Sequence, residues 1–118
     1  MRVKGGIHTK KRHKKYLKLA KGNIGGRRVL YRSAREGVEK GLNFAFRDRR
    51  ARKREMRGLW ITRISAACKA LGTSYSAFMG LLKKAGITVD RKSLSNIAAT
   101  DPAAFESLVA RVKARGAS

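Results

Sequence analysis

Residues 47–71 read Arg47-Asp48-Arg49-Arg50-Ala51-Arg52-Lys53-Arg54-Glu55-Met56-Arg57-Gly58-Leu59-Trp60-Ile61-Thr62-Arg63-Ile64-Ser65-Ala66-Ala67-Cys68-Lys69-Ala70-Leu71. Within this stretch the chain changes character. From Arg47 to Arg57 there are seven cations, and side chains placed about 100° apart on a helix would carry that charge to every face. From Trp60 the apolar residues Trp60, Ile64, Ala67, Cys68 and Leu71 recur at i, i+4, i+7, i+8 and i+11, which is the stripe of a helix that buries one side. Both parts are helical in pattern, but only the second has a face to bury. The fold is therefore expected to be all-α: a long basic N-terminal helical extension over residues 1–58, then a small globular four-helix domain over residues 59–118.

C-terminal of the stripe, helix signals follow one another closely. Gly72 supplies a stop, and Thr73 or Ser74 offers a side-chain oxygen to cap the next helix. That helix is expected to turn Phe78, Met79, Leu81 and Leu82 inward, to hold Lys83 and Lys84 in its last turn, and to end at Gly86. Asp90 caps a third helix with Leu94, Ile97 and Ala98 inside. Asp101-Pro102 pairs a cap residue with a proline at the first helical position, opening a fourth helix that buries Phe105, Leu108, Val109 and Val112. Trp60 is assigned to the core of this domain. No segment alternates as a strand would.

N-terminal of residue 47, residues 9–21 form a basic helical stretch ended by Gly22, and Asn23-Ile24-Gly25-Gly26 has turn chemistry. A long helical pattern runs from Arg27 through Leu30, Ala34, Val38, Leu42 and Ala45. Its apolar stripe is narrow, and Gly37 and Gly41 each weaken it by about 1 kcal/mol relative to alanine. Glu36 to Lys40 and Asp48 to Arg52 are the available i,i+4 ion pairs. Phe46, four residues after Leu42, is assigned to packing. Continued from Arg27 to Leu71, such a helix would span roughly 68 Å. Gly37, Gly41 and Gly58 are candidate bends.

Composition sharpens the contrast. The 118 residues carry 30 Lys and Arg against 7 acids, net +23. Residues 1–60 hold 21 of those cations and 4 acids, net +17, while residues 61–118 hold 9 and 3, net +6. Hydrophobic residues are 21 of the first 60 and 29 of the last 58, so the charge belongs to an arm and the apolar content to a domain. Such an arm calls for a polyanionic partner. A membrane-surface helix would keep one apolar face, which the dense runs lack, and no stretch approaches the roughly 20 apolar residues of a span. No secretory signal opens the chain, and the single cysteine, Cys68, is expected in a reducing, cytosol-like compartment as a small core residue. His8 and His13 sit five residues apart among lysines, a poor metal site. No catalytic constellation, small-molecule site or cofactor motif is present, so neither an enzyme nor a cofactor is expected.

Phosphate neutralisation is the chemistry these runs support. Arginine forks match phosphate oxygens and stack on bases, and the interleaved Tyr16, Tyr31, Phe44 and Phe46 offer rings for unpaired bases at about 1–3 kcal/mol each. The RNA-contacting residues are expected to be Arg2, Lys4, Lys10, Lys11, Arg12, His13, Lys14, Lys15, Lys18 and Lys21. Arg27, Arg28, Tyr31, Arg32 and Arg35 continue the set. Arg47, Arg49, Arg50, Arg52, Lys53, Arg54 and Arg57 form its densest part. A DNA-compacting, histone-like protein shares the charge and the helices, but the arm shows no dimer seam or two-fold clamp.

The stretch from Ala45 to Ile64, together with Arg2-Val3-Lys4-Gly5-Gly6, His13-Lys14-Lys15, Ala20-Lys21-Gly22, Tyr31-Arg32, Ser74-Tyr75-Ser76 and Asp90-Arg91-Lys92, resembles the L-twenty family of the bacterial large ribosomal subunit over essentially the whole chain. Asn23 stands where many relatives carry an aromatic residue, and Phe44 and Phe46 where many carry tyrosines. The resemblance implies a structural protein that binds 23S-type ribosomal RNA directly, acts early in large-subunit assembly and lies beside neighbouring ribosomal proteins. It implies a cytoplasmic ribosome of bacterial or organellar type, and in some members binding to the family's own messenger. Ser74, Tyr75, Ser76, Arg91 and Lys92 would add contacts from the globular domain.

A net charge of +17 with so sparse a stripe does not sustain a rod in water, so the arm is expected to gain its helicity on binding RNA. Circular dichroism of isolated residues 1–58 checks this: weak helicity alone and strong helicity with RNA is the expected outcome, and full helicity without RNA at physiological salt contradicts it.

Overall fold

The computed structural model describes residues 4–116 and is all-α. The described residues form six helices and no strand: α1 (Ile7–Leu19), α2 (Gly26–Val29), α3 (Tyr31–Ala70), α4 (Tyr75–Lys84), α5 (Arg91–Thr100) and α6 (Pro102–Gly116). The chain falls into two compact units, one ending at Arg50 and the other beginning at Ala51.

In the first unit α1 ends where Ala20 caps it, and Gly22 and Gly25 take the positive φ values of +93° and +64° that let the chain turn. The helix expected from Arg27 is broken once, at Leu30. That residue closes α2 by donating its N–H to Gly26 O at 2.9 Å, then opens α3 by accepting from Ala34 N at 2.8 Å. Its extended backbone, φ −89° and ψ 119°, is the usual conformation of a residue that precedes a helix. Helix α3 is continuous through Gly37, Gly41 and Gly58, because an interior glycine weakens a helix without blocking it. Ala20 and Ala34 are fully buried. The remaining large apolar residues of the stripe are not: Leu30 and Leu42 are about 60% exposed (60% and 58%).

In the second unit each helix start is satisfied by the residue that precedes it. Ser74 Oγ accepts from Ala77 N at 3.2 Å, Asp90 Oδ1 from Ser93 N at 3.1 Å, and Asp101 Oδ1 from Ala104 N at 3.0 Å. Gly72 and Gly86, both at φ +67°, turn the chain out of α3 and α4. The core is Ile64, Cys68, Phe78, Leu82, Leu94, Phe105, Val109 and Val112, with the Phe78 and Phe105 rings 5.4 Å apart and tilted by 55°. Met79, Leu81, Ile97, Ala98 and Leu108 pack against it.

Trp60 departs from expectation. It is half-buried and outside this core. Ile64, one turn later, is the first residue of α3 to enter, since a core drawn from so few side chains does not extend a further turn along the helix.

Three outcomes follow for the full chain, read by thermal or urea melts of the second unit. Phe78→Ala is expected to cost about 3–5 kcal/mol, comparable to the whole stability of so small a domain. Ser74→Ala is expected to cost about 1 kcal/mol through loss of the α4 cap. The hydrogen bonds from Ser93 hold the Asp90 carboxyl below its ordinary range. Its contribution is therefore complete above the unfolded-state pKa of about 3.9 and is lost as pH falls through the lower folded-state value. Asp90→Asn, a cap that does not titrate, should match the wild type more closely in acid than at pH 7.

Candidate nucleic-acid interface

Of the expected RNA-contacting residues, Arg2 lies outside the described ones, and the structure places the others in five groups. Lys4 precedes α1. Lys10, Lys11, Arg12, His13, Lys14, Lys15 and Lys18 lie on α1, with Lys21 in the turn after it. Arg27 and Arg28 belong to α2, and Tyr31, Arg32 and Arg35 to the opening turns of α3. Arg47, Arg49, Arg50, Arg52, Lys53, Arg54 and Arg57 occupy the middle of α3, and every one is exposed. Ser74 caps α4, Tyr75 and Ser76 begin that helix, and Arg91 and Lys92 begin α5.

Three pairs are brought together that spacing alone did not join. The His13 ring lies on Tyr31, with centroids 3.7 Å apart and planes 19° from parallel. Tyr16 meets Tyr31 edge-on at 6.0 Å. In the second unit Arg91 Nε donates to Tyr75 OH at 3.0 Å, which fixes the guanidinium at the head of α5, while the Tyr75 ring packs on the core. Ser76 and Lys92 are exposed.

The sequence reasoning missed Glu39. Its Oε1 accepts from Arg35 Nε at 2.8 Å and from Tyr16 OH at 3.5 Å, so it connects α1 to α3. That hydrogen bond, and then the charge of Glu39, raises the Arg35 pKa further above its already high ordinary value. The signal was the Arg35-to-Glu39 spacing of four. The ion pairs observed are Arg32–Glu36 at 3.9 Å, Arg35–Glu39 at 2.8 Å and Arg47–Asp48 at 2.9 Å. In each of these the acid pairs with an arginine that precedes it. The expected partners Lys40 and Arg52 follow their acids, and neither is in an ion pair among the described residues.

Phe46 is likewise not packed. It is 57% exposed, and the Arg50 guanidinium stands 4.0 Å from its centroid while donating Nη1–H to Phe46 O at 2.9 Å. Arg49 lies 5.9 Å away. Arg47 covers Phe44 at 4.6 Å. A guanidinium on an aromatic face is attracted by the ring quadrupole, and at three- and four-residue spacing the two groups meet on one helix face. That spacing was the available sign that these rings serve arginines rather than a core.

Among the described residues no cluster of His, Cys, Asp and Glu could hold a metal, and no helix is long and apolar enough to cross a membrane. Cys68 is buried, and burial raises its thiol pKa against a smaller opposing effect of Lys113. The candidate interface is therefore exposed cations carried on helices, with some of their guanidinium groups lying over aromatic rings. Such a surface neutralises phosphates and offers planar groups to bases.

A profile of the family described as Ribosomal protein L20 matches residues 2–108. The large ribosomal subunit protein bL20 of Acetivibrio thermocellus is 56% identical over 113 residues, covering 96% of this chain and 97% of its own. That of Rhodospirillum centenum is 58% identical over 108 residues, covering 92% and 91%, and that of Rickettsia prowazekii 56% over 113, covering 96% and 97%. The chain belongs to the ribosomal protein L20 family, a family of structural ribosomal components rather than enzymes.

Proposed function

We propose that this protein is a structural constituent of the large ribosomal subunit that binds 23S-type ribosomal RNA directly and supports early assembly of the subunit. Residues 1–58 act as the RNA-threading extension, and residues 59–118 as a helical domain that adds shape-dependent contacts through Ser74, Tyr75, Ser76, Arg91 and Lys92. One observation carries the reading. Every lysine and arginine of the two dense runs is exposed, while the ion pairs among the described residues involve only Glu36, Glu39 and Asp48. Most of the arm's charge is thus left for an external polyanion.

Arm cations displace the counterions condensed on RNA, and this release drives association. Where RNA segments crowd together their phosphates repel one another, so a cationic helix laid between them lowers the cost of bringing them close. That places its action early, before the segments are locked by other contacts. Arginine in the 47–57 run adds bidentate phosphate contacts that lysine does not make.

If on the order of eight phosphates are contacted, log affinity should fall with log salt at a slope of roughly −6 to −7. Arg52→Gln, which removes one phosphate contact, should lower that slope by about 1. In a competition assay, folded ribosomal RNA should displace duplex DNA; the reverse order favours a DNA-compacting role. In lysates sedimented at high and low magnesium the protein should travel with the large subunit, and its absence from that fraction in both conditions would falsify the assignment.

A further inference from the structure

An open groove of about 1050 Å³ lies within the first unit, between the turn around residues 22–26 and one face of α3. Glu36, Gly37, Lys40, Gly41 and Phe44 line it from α3, and their three- and four-residue spacing makes them one helix face. Gly37 and Gly41 leave the middle of that wall bare, and a Cβ built on either meets nothing within 4 Å. Arg27 lines the groove from α2.

We propose that this groove holds an unpaired guanine nucleotide of RNA. The base stacks on Phe44, Glu36 reads its edge, and Arg27 and Lys40 hold the flanking phosphates. The inference rests on the RNA-binding reading above and adds a single-nucleotide site to it.

Three features favour this occupant. The first is the ring of Phe44, which lines the groove while 44% exposed. It has already attracted a planar cation, the Arg47 guanidinium, to 4.6 Å from its centroid, and a base is the other planar partner such a ring takes. The second is the sign of the charge. Arg27 and Lys40 are exposed and bring two positive charges to one acid, which suits a phosphodiester backbone. The third is Glu36. Its ion pair with Arg32 is loose, 3.9 Å, at a carboxyl side chain 73% exposed. In an RNA groove a carboxylate repels phosphate, so what it selects is a row of N–H donors. Guanine presents two adjacent donors, N1–H and the N2 amino group, which match the two carboxylate oxygens. Adenine and cytosine present one amino group, and uracil one imino group. The bare glycine wall then gives the base room to lie against the helix backbone.

The experiment uses the full chain and transcribed large-subunit ribosomal RNA, read by affinity across salt concentrations and by guanine-specific chemical probing at N1 and N2. Gly41→Leu fills the groove, keeps every cation and replaces glycine with a better helix former. It should bind about tenfold more weakly, with a salt slope lower by up to about 2 where the Arg27 and Lys40 phosphate contacts go with the nucleotide, and should lose protection of one unpaired guanine. Glu36→Gln should lose that same guanine's protection. Gly41→Ala, whose methyl group leaves the groove open, should retain both affinity and protection. If the wild type binds and Gly41→Leu equals it in affinity and protection, the groove is not a nucleotide site. If the wild type itself does not bind this RNA, the RNA-binding reading and the groove fall together.

Discussion

Mutual repulsion among the cations of residues 1–60 opposes any contact that would fold this segment back on itself, and its other features answer to that force. Two charges 4–8 Å apart in water repel by about 0.5–1 kcal/mol, and the net charge of +17 multiplies such pairs. The observed ion pairs answer only a small part of it. Apolar burial answers little more: Ala20 and Ala34 are fully enclosed, but they are small, and Leu30 and Leu42 remain largely in solvent. Contacts that tolerate charge do the holding instead. A histidine lies on a tyrosine, a single glutamate receives both an arginine and a tyrosine hydroxyl, and two phenylalanines carry guanidinium groups on their faces. Each stabilises local geometry without removing a cation from reach of a phosphate.

The second unit answers a different constraint. Beyond its first ten residues its charge is diluted, net +6 over residues 61–118, so it folds by burial, but it has few residues with which to do so. It concentrates two phenylalanines at the centre, surrounds them with aliphatic side chains from four helices, and caps three helix starts with serine or aspartate. Conformational freedom at Gly72 and Gly86 keeps the connections short enough for all of these helices to reach one core.

How legible each part was depended on how local its causes were. The helix starts at Ser74, Asp90 and Asp101 and the stops at Gly72 and Gly86 follow from chemistry within four residues, and all were readable. The inward faces around Phe78, Leu94 and Phe105 followed from helical period. Where a residue's fate depended on a distant partner, reading failed. Trp60 fits the apolar stripe, but whether the core reaches it depends on what α4, α5 and α6 bring. Phe46 fits a packing position beside Leu42, but both stay more than half exposed, and what lies over the Phe46 ring is an arginine rather than a core. Leu30 interrupts the long helical pattern, and no local breaker marks it. Of the candidate interface, the cations were evident from composition and the family resemblance and the Arg35–Glu39 pair from its spacing, while the Tyr16–Glu39 contact and the His13–Tyr31 stack needed three dimensions, because α1 meets α3 only across the turn.

The buried Cys68 gives the second unit an internal clock. Its thiol sits at 0% exposure between helices, and burial also keeps it protonated, whereas alkylating and disulfide reagents need the thiolate. Modification must therefore wait for the core to open. Because this is the chain's one cysteine, the labelling rate reports opening of that core alone, with no second thiol to subtract. A tag-free protein thus carries its own probe of how often the helical domain breathes, and of whether added RNA changes that rate.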